Sequence, residues 1–162
     1  MTEGARIVGL GNADRGDDAA GLLVARRLRE LGVESAAESG DPLSLIESFG
    51  QTNDLIIVDA VITGATPGTI RCREVGPDAV ATLEGGETST HGLGVAQAIE
   101  LARILNRLPQ QIRIYGIEGR CFEIGAPPSR EVLAAVESLA QQLSYYQLRG
   151  RQGGRRPAFE VR

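Results

Sequence analysis

The chain has 162 residues and a formal net charge of -4, which suits one compact domain. All 17 of its basic residues are arginine, so chemistry that needs an amine (P-loop phosphate transfer, Schiff bases, pyridoxal phosphate) is excluded. A single histidine, His91, excludes zinc sites of two or three imidazoles, and the distant Cys72 and Cys121 form neither a CxxC pair nor a disulfide framework.

From the N-terminus, Arg6-Ile7-Val8-Gly9-Leu10-Gly11 reads as a buried first strand ending in glycines. The polar loop 12–18 follows, then a helix over 18–31 with Ala20, Leu23, Val24, Leu28 and Leu31 at three- and four-residue spacing. Val33–Ser39 is a weak second strand. Asp41-Pro42 opens a short helix, a capping residue before a proline, with Leu45, Ile46 and Phe49 as its apolar face. Asp54–Asp59 is the clearest strand, four apolar residues between two acids. After a turn at Pro67-Gly68, Thr69–Val75 alternates as an edge strand does. Residues 76–90 read as a loop, 91–106 as a helix with Val95, Ile99, Ala102 and Leu105 on one stripe, and 111–117 as a further strand. Pro127-Pro128-Ser129 starts a last helix that buries Val132, Val136, Leu139 and Leu143.

Strands alternating with helices predict a single α/β domain, a three-layer α/β/α arrangement around a mostly parallel sheet, over residues 1–147. Residues 148–162, rich in arginine and glycine, are expected to form a solvated tail. The body before that tail is acidic, which argues against nucleic acid as a partner. No apolar run reaches the roughly 18 residues needed to cross a bilayer, and no signal peptide is evident. A cytoplasmic monomer is the expectation.

In such a sheet, loops after the strand carboxyl ends converge on one edge, where sites are built. Asp17-Asp18 after the first strand, Asp59 at the end of another and His91 at a loop-to-helix junction all fall there. Two carboxylates and an imidazole can hold a borderline divalent ion, Ni²⁺ or Zn²⁺, with positions left open. Each residue also has a plainer reading, since Asp17 or Asp18 can cap the helix, Asp59 can mark a strand exit and His91 can lie on the surface. Gly9-x-Gly11 resembles the start of a dinucleotide fingerprint, but position 14 is Asp14 and the nearby acids would repel a pyrophosphate. There is no Gly-x-Ser-x-Gly elbow, and Cys121 beside Arg120 has no second histidine-bearing segment to activate it.

Several of these segments together resemble the hydrogenase maturation proteases. The similarity runs through Gly9-Leu10-Gly11-Asn12, Arg15-Gly16-Asp17-Asp18-Ala19-Ala20-Gly21, Leu55-Ile56-Ile57-Val58-Asp59-Ala60, Pro67-Gly68-Thr69, Ser89-Thr90-His91-Gly92-Leu93-Gly94 and Gly116-Ile117-Glu118. The resemblance implies an endopeptidase that trims the C-terminus of a nickel–iron hydrogenase large-subunit precursor after nickel insertion. It implies Asp18, Asp59 and His91 as ligands of nickel carried by that precursor, a site other divalent metals can occupy. Gly92 stands where many members have glutamine, and Glu38-Ser39-Gly40 stands in place of an Asp-Gly-Gly turn. Attack on the peptide bond has two candidate routes: a metal-polarised carbonyl with activated water, or Glu38 as general base. A nickel-sensing chaperone that does not cleave, and a nucleotide- or phosphate-binding α/β protein, are the alternatives.

Overall fold

The computed structural model describes residues 4–50, 52–76, 88–89 and 92–150. The chain runs β1 (Arg6–Leu10), a 3-10 turn (Gly16–Ala19), α1 (Ala20–Glu30), β2 (Ala36–Ser39), a second 3-10 turn (Pro42–Ser44) and α2 (Leu45–Phe49). It continues through β3 (Asp54–Ile62), β4 (Ile70–Val75), β5 (Thr88–Ser89), α3 (Gly92–Ile104), β6 (Gln111–Glu118) and α4 (Arg130–Gly150). The sheet order is β2-β1-β3-β6-β4, with β1, β2, β3 and β6 parallel. β4 closes one edge antiparallel to β6, and two-residue β5 pairs antiparallel with the end of β3.

Side-chain alternation along β3 separates two apolar layers. Ile56, Val58 and Ala60 join a core with Ala20, Val24 and Leu28 of α1 and with Val132, Leu139 and Leu143 of α4. Leu55 and Ile57 join the other, with Leu45 and Phe49 of α2 and Val95 and Ile99 of α3. A strand buried on both faces must be apolar at every position, which is why Leu55–Val58 is an unbroken apolar run. The result is a single α/β domain with helices on both faces of a mostly parallel sheet, and β4 takes the edge place its alternation predicts.

α1 lies very close to the sheet. A Cβ on Gly21 would stand 2.2 Å from the Leu10 carbonyl oxygen and 2.3 Å from that of Val58, and one on Gly9 would stand 1.9 Å from the Gly21 oxygen. The glycines of the Gly9-x-Gly11 segment therefore admit a helix backbone; Gly11, at φ +155°, lets the Asp18 carbonyl approach.

Element boundaries differ from the sequence expectation where a cap or turn intervenes. The first helix begins at Ala20 because residues 16–19 wind as a 3-10 turn. β2 begins at Ala36, three residues after Val33, because Gly32 at φ +89° and the bond from Val33 N to Leu28 O close α1 first. β3 runs on to Ile62, and α4 starts at Arg130 and continues to Gly150. α3 occupies 92–104, and residues 77–87 of the expected loop lie outside the described residues.

Candidate functional site

The carboxyl edge of β1 and β3 carries three buried aspartates, two in the turn after β1 and one on β3. Asp17 and Asp18 sit in the 3-10 turn after β1, and that turn packs against β3, whose sixth residue is Asp59. None of the three is solvated: Asp17 is 0% exposed, Asp18 1% and Asp59 4%.

Asp17 is fully committed to the protein. Its carboxylate accepts hydrogen bonds from the backbone N–H of Arg120 (2.7 Å), Cys121 (3.0 Å) and Ser129 (2.6 Å), and from Ser129 Oγ (3.0 Å). Burial alone would raise its pKa, but the bonds from Ser129, Cys121 and Arg120 outweigh that and hold the carboxyl below its ordinary value. The helix-capping reading is not met: α1 has no side-chain cap, and Asp17 instead ties the segment after β6, and the residue before α4, to the turn after β1.

Asp18 faces the other way chemically. Its Oδ1 is buried and receives no hydrogen bond from the described residues. A buried, unpartnered carboxylate oxygen is costly unless a cation or donor reaches it. Asp59, one strand over, receives the backbone N–H of Ala60 at 2.8 Å. The structure thus brings Asp18 and Asp59 to one edge.

His91 lies outside the described residues. On either side of it, Ser89 pairs with Val61 two residues beyond Asp59, and Gly92 opens α3. The first turn of that helix packs on the Pro42–Ser44 turn, where a Cβ on Gly94 would stand 2.9 Å from the Pro42 ring. Among the described residues no three His, Cys, Asp or Glu side chains are grouped to hold a metal. The two carboxylates present have the hard-to-borderline oxygen donors that a divalent ion accepts.

Glu38 does not join this group. In the sheet it is the partner of Gly9, which in turn partners Val58, so its side chain lies on the α1 face while Asp59 follows Val58 onto the other. Its two oxygens bind Arg26 (2.9 Å) and Arg29 (2.6 Å) of α1. Burial pushes its carboxyl up, but the hydrogen bonds from Arg29 and Arg26 prevail and hold it below the ordinary range, which weakens it as a base. Glu38, expected as one candidate general base, is thus placed on the α1 face with both carboxylate oxygens held by arginines. Cys121 contributes through its backbone, giving its N–H to Asp17 Oδ2 and accepting the Asp17 N–H at 2.8 Å.

A further buried acid at this edge ends the Gly116-Ile117-Glu118 segment, to which no role was assigned from sequence. Glu118, 3% exposed at the end of β6, accepts the N–H groups of Thr63 (2.9 Å) and Gly64 (3.1 Å) and the Thr63 hydroxyl (2.7 Å). It fixes the loop leaving β3. An acid at the carboxyl end of an otherwise apolar strand was the available signal.

Known proteins share this fold. A family model described as hydrogenase maturation protease (HycI) matches residues 39–145. The chain is similar to protein FrxA of Pyrococcus furiosus, 28% identical over 123 residues that cover 75% of this chain and 88% of FrxA. Among solved structures it resembles the nickel–iron hydrogenase maturation protease HybD from Thermococcus kodakarensis, with TM-score 0.71, 26% identity and coverage of 87% and 97%. It also resembles the maturation protease HycI from Thermococcus kodakarensis KOD1, with TM-score 0.64, 28% identity and coverage of 88% and 92%.

Proposed function

Since the chain belongs to the hydrogenase maturation protease family, a family of processing endopeptidases, we propose that it removes the C-terminal peptide of a nickel–iron hydrogenase large-subunit precursor once nickel is in place. In this reading Asp18, Asp59 and His91 meet nickel carried by the precursor. The observation that carries it is the buried Oδ1 of Asp18, without a partner among the described residues, on the strand edge that also bears Asp59.

The chemistry follows from that oxygen. An ion held by the precursor would satisfy the buried Oδ1 of Asp18, so loaded substrate gains affinity that unloaded substrate lacks. Three protein ligands leave coordination positions for the precursor's own groups and for a scissile carbonyl. Polarisation of that carbonyl by the substrate's nickel, with water as nucleophile, is the route consistent with the placement of Glu38 on the opposite face.

The test incubates the purified chain with the nickel-loaded and the nickel-free precursor encoded in the same genome and reads intact mass. Loss of a C-terminal peptide from the loaded form alone is the expected outcome. Binding without mass loss would identify a nickel-sensing chaperone instead, and indifference to both forms would sink the reading. In the same assay His91→Ala abolishes processing, whereas Glu38→Gln retains it.

A further inference from the structure

The ladder between β1 and β3 pairs Arg6 with Leu55 through Gly9 with Val58 and ends there, just short of Asp59. Asp18 lies further along the chain still, in the 3-10 turn and outside any strand. Strand pairing by itself therefore does not fix how far Asp18 stands from Asp59. A second connection between the two runs through residues 118–121.

One end of that segment is fastened to β3. Glu118 partners Val61 in the β3–β6 ladder, and Gly119 N donates to Val61 O at 3.0 Å. The buried Glu118 carboxylate accepts the Thr63 N–H on both oxygens (2.9 and 3.1 Å), the Gly64 N–H (3.1 Å) and the Thr63 hydroxyl (2.7 Å). The other end is fastened to the turn after β1. Arg120 and Cys121 give their N–H groups to Asp17 Oδ2, and the Cys121 carbonyl accepts the Asp17 N–H. A Cβ on Gly119, between the two ends, would stand 3.1 Å from Asp17 Cβ, so the segment lies directly against the turn. Residues 118–121 thus tie the strand that carries Asp59 to the turn that carries Asp18.

Every group that meets the Glu118 carboxylate is a donor, and hydrogen bonds to an ionised acceptor are short and strong. A glutamine of the same shape would turn its own N–H groups toward one of those donors, and the loop leaving β3 would have to shift. Side chains that share one ion must be held to within about 0.5 Å of the productive geometry. Resting on the proposed function, we propose that Glu118 is a positioning residue: with Asp17 it braces residues 118–121 and so sets the gap between Asp18 and Asp59 that receives the precursor's nickel. Glu118 meets neither the ion nor the scissile peptide and acts through the two aspartates. Its loss therefore weakens binding of the nickel-loaded precursor and leaves the contacts of the nickel-free precursor as they were.

Steady-state processing of the nickel-loaded precursor, followed by intact mass and inhibited by the nickel-free precursor, gives a KM for one form and a Ki for the other. Loss of stability alone lowers the amount of active chain, and hence the apparent kcat, and moves neither constant. Glu118→Gln is expected to raise KM about tenfold while Ki stays within about twofold of the parent's. Thr63→Val removes the hydroxyl bond alone and should raise KM about threefold, and Thr63→Ser should restore it. Arg113→Met, which loses a buried ion pair at the opposite edge of the sheet, should change neither constant. Where Glu118→Gln does not fold or does not cut, the Thr63 pair decides. An unchanged KM in the variants that fold, an equal rise in KM and Ki, or an equal rise in Arg113→Met would overturn the positioning role while leaving the protease reading intact. A parent chain that leaves the loaded precursor uncut, or binds both forms alike, would remove the proposed function itself, and the positioning role with it.

Discussion

Asp17 and Asp18 are consecutive, buried and in the same 3-10 turn, yet their carboxylates stand in opposite circumstances. Asp17 receives four hydrogen bonds, whereas Oδ1 of Asp18 receives none from the described residues. Asp17→Asn turns a donor toward backbone N–H groups, and it should cost about 3 kcal/mol or more in urea unfolding. Asp18→Asn changes a side chain whose Oδ1 has no partner among the described residues; its stability should stay close to the parent's while processing is lost. pH separates the pair further. The folded-state pKa of Asp17 lies below the ordinary 3.8, so on acidification the unfolded chain binds the proton first. The stabilisation is complete above that ordinary value and disappears as pH falls through the folded one, so the penalty of Asp17→Asn should be smaller at pH ~3 than at pH ~7. Acids in the loop after β1 and behind the apolar run of β3 made the placement of Asp18 and Asp59 at one edge legible in the sequence. The partners of Asp17 were not, because its donors lie 103 to 112 residues further along the chain. The arginine partners of Glu38 were not legible for another reason: in a strand, one residue of register decides the face, and four residues of β2 are too few to reveal it.

The contact of α1 with β1 and β3 sets the height of the 3-10 turn above the sheet, and so the position of Asp18. Gly21→Ala would press a methyl against two main-chain oxygens that cannot turn aside, at 2.2 and 2.3 Å. Destabilisation of about 3 kcal/mol or more is expected, read by urea or thermal unfolding. Elements whose character lies in local pattern were plain from sequence: the apolar run of β3, the three- and four-residue spacing of α1 and α4, the proline-led turn before α2. The Asp41 side chain accepts the Leu43 N–H at 2.9 Å, as that last pattern requires. Boundaries set by distant groups were less plain. The 3-10 turn over 16–19 exists because Asp17 is pulled toward Ser129 and Cys121, and nothing near it in sequence reports that pull.

Across the whole molecule, charged and polar groups join the layers that apolar packing holds together. On the face opposite Asp59, Arg113 of β6 binds both oxygens of Asp54 at 3.0 Å, donates to the Tyr146 hydroxyl of α4 and stacks over that ring at 4.6 Å. Arg113→Met leaves a buried carboxylate without its guanidinium, and about 3 kcal/mol or more should be lost in urea unfolding. Asp54 begins β3, at the sheet's amino edge, so processing per folded molecule should persist in that variant. α4 is fastened at both extremities: Ser129 is held by Asp17 at the carboxyl edge, and Gln147 exchanges hydrogen bonds with the backbone of Ala5 at the amino edge. That second clasp determines how the molecule can be handled. The start of β1 and the end of α4 thus lie together on the side of the sheet away from Asp18, and a molecule gripped at that clasp still offers its carboxyl edge to a large protein.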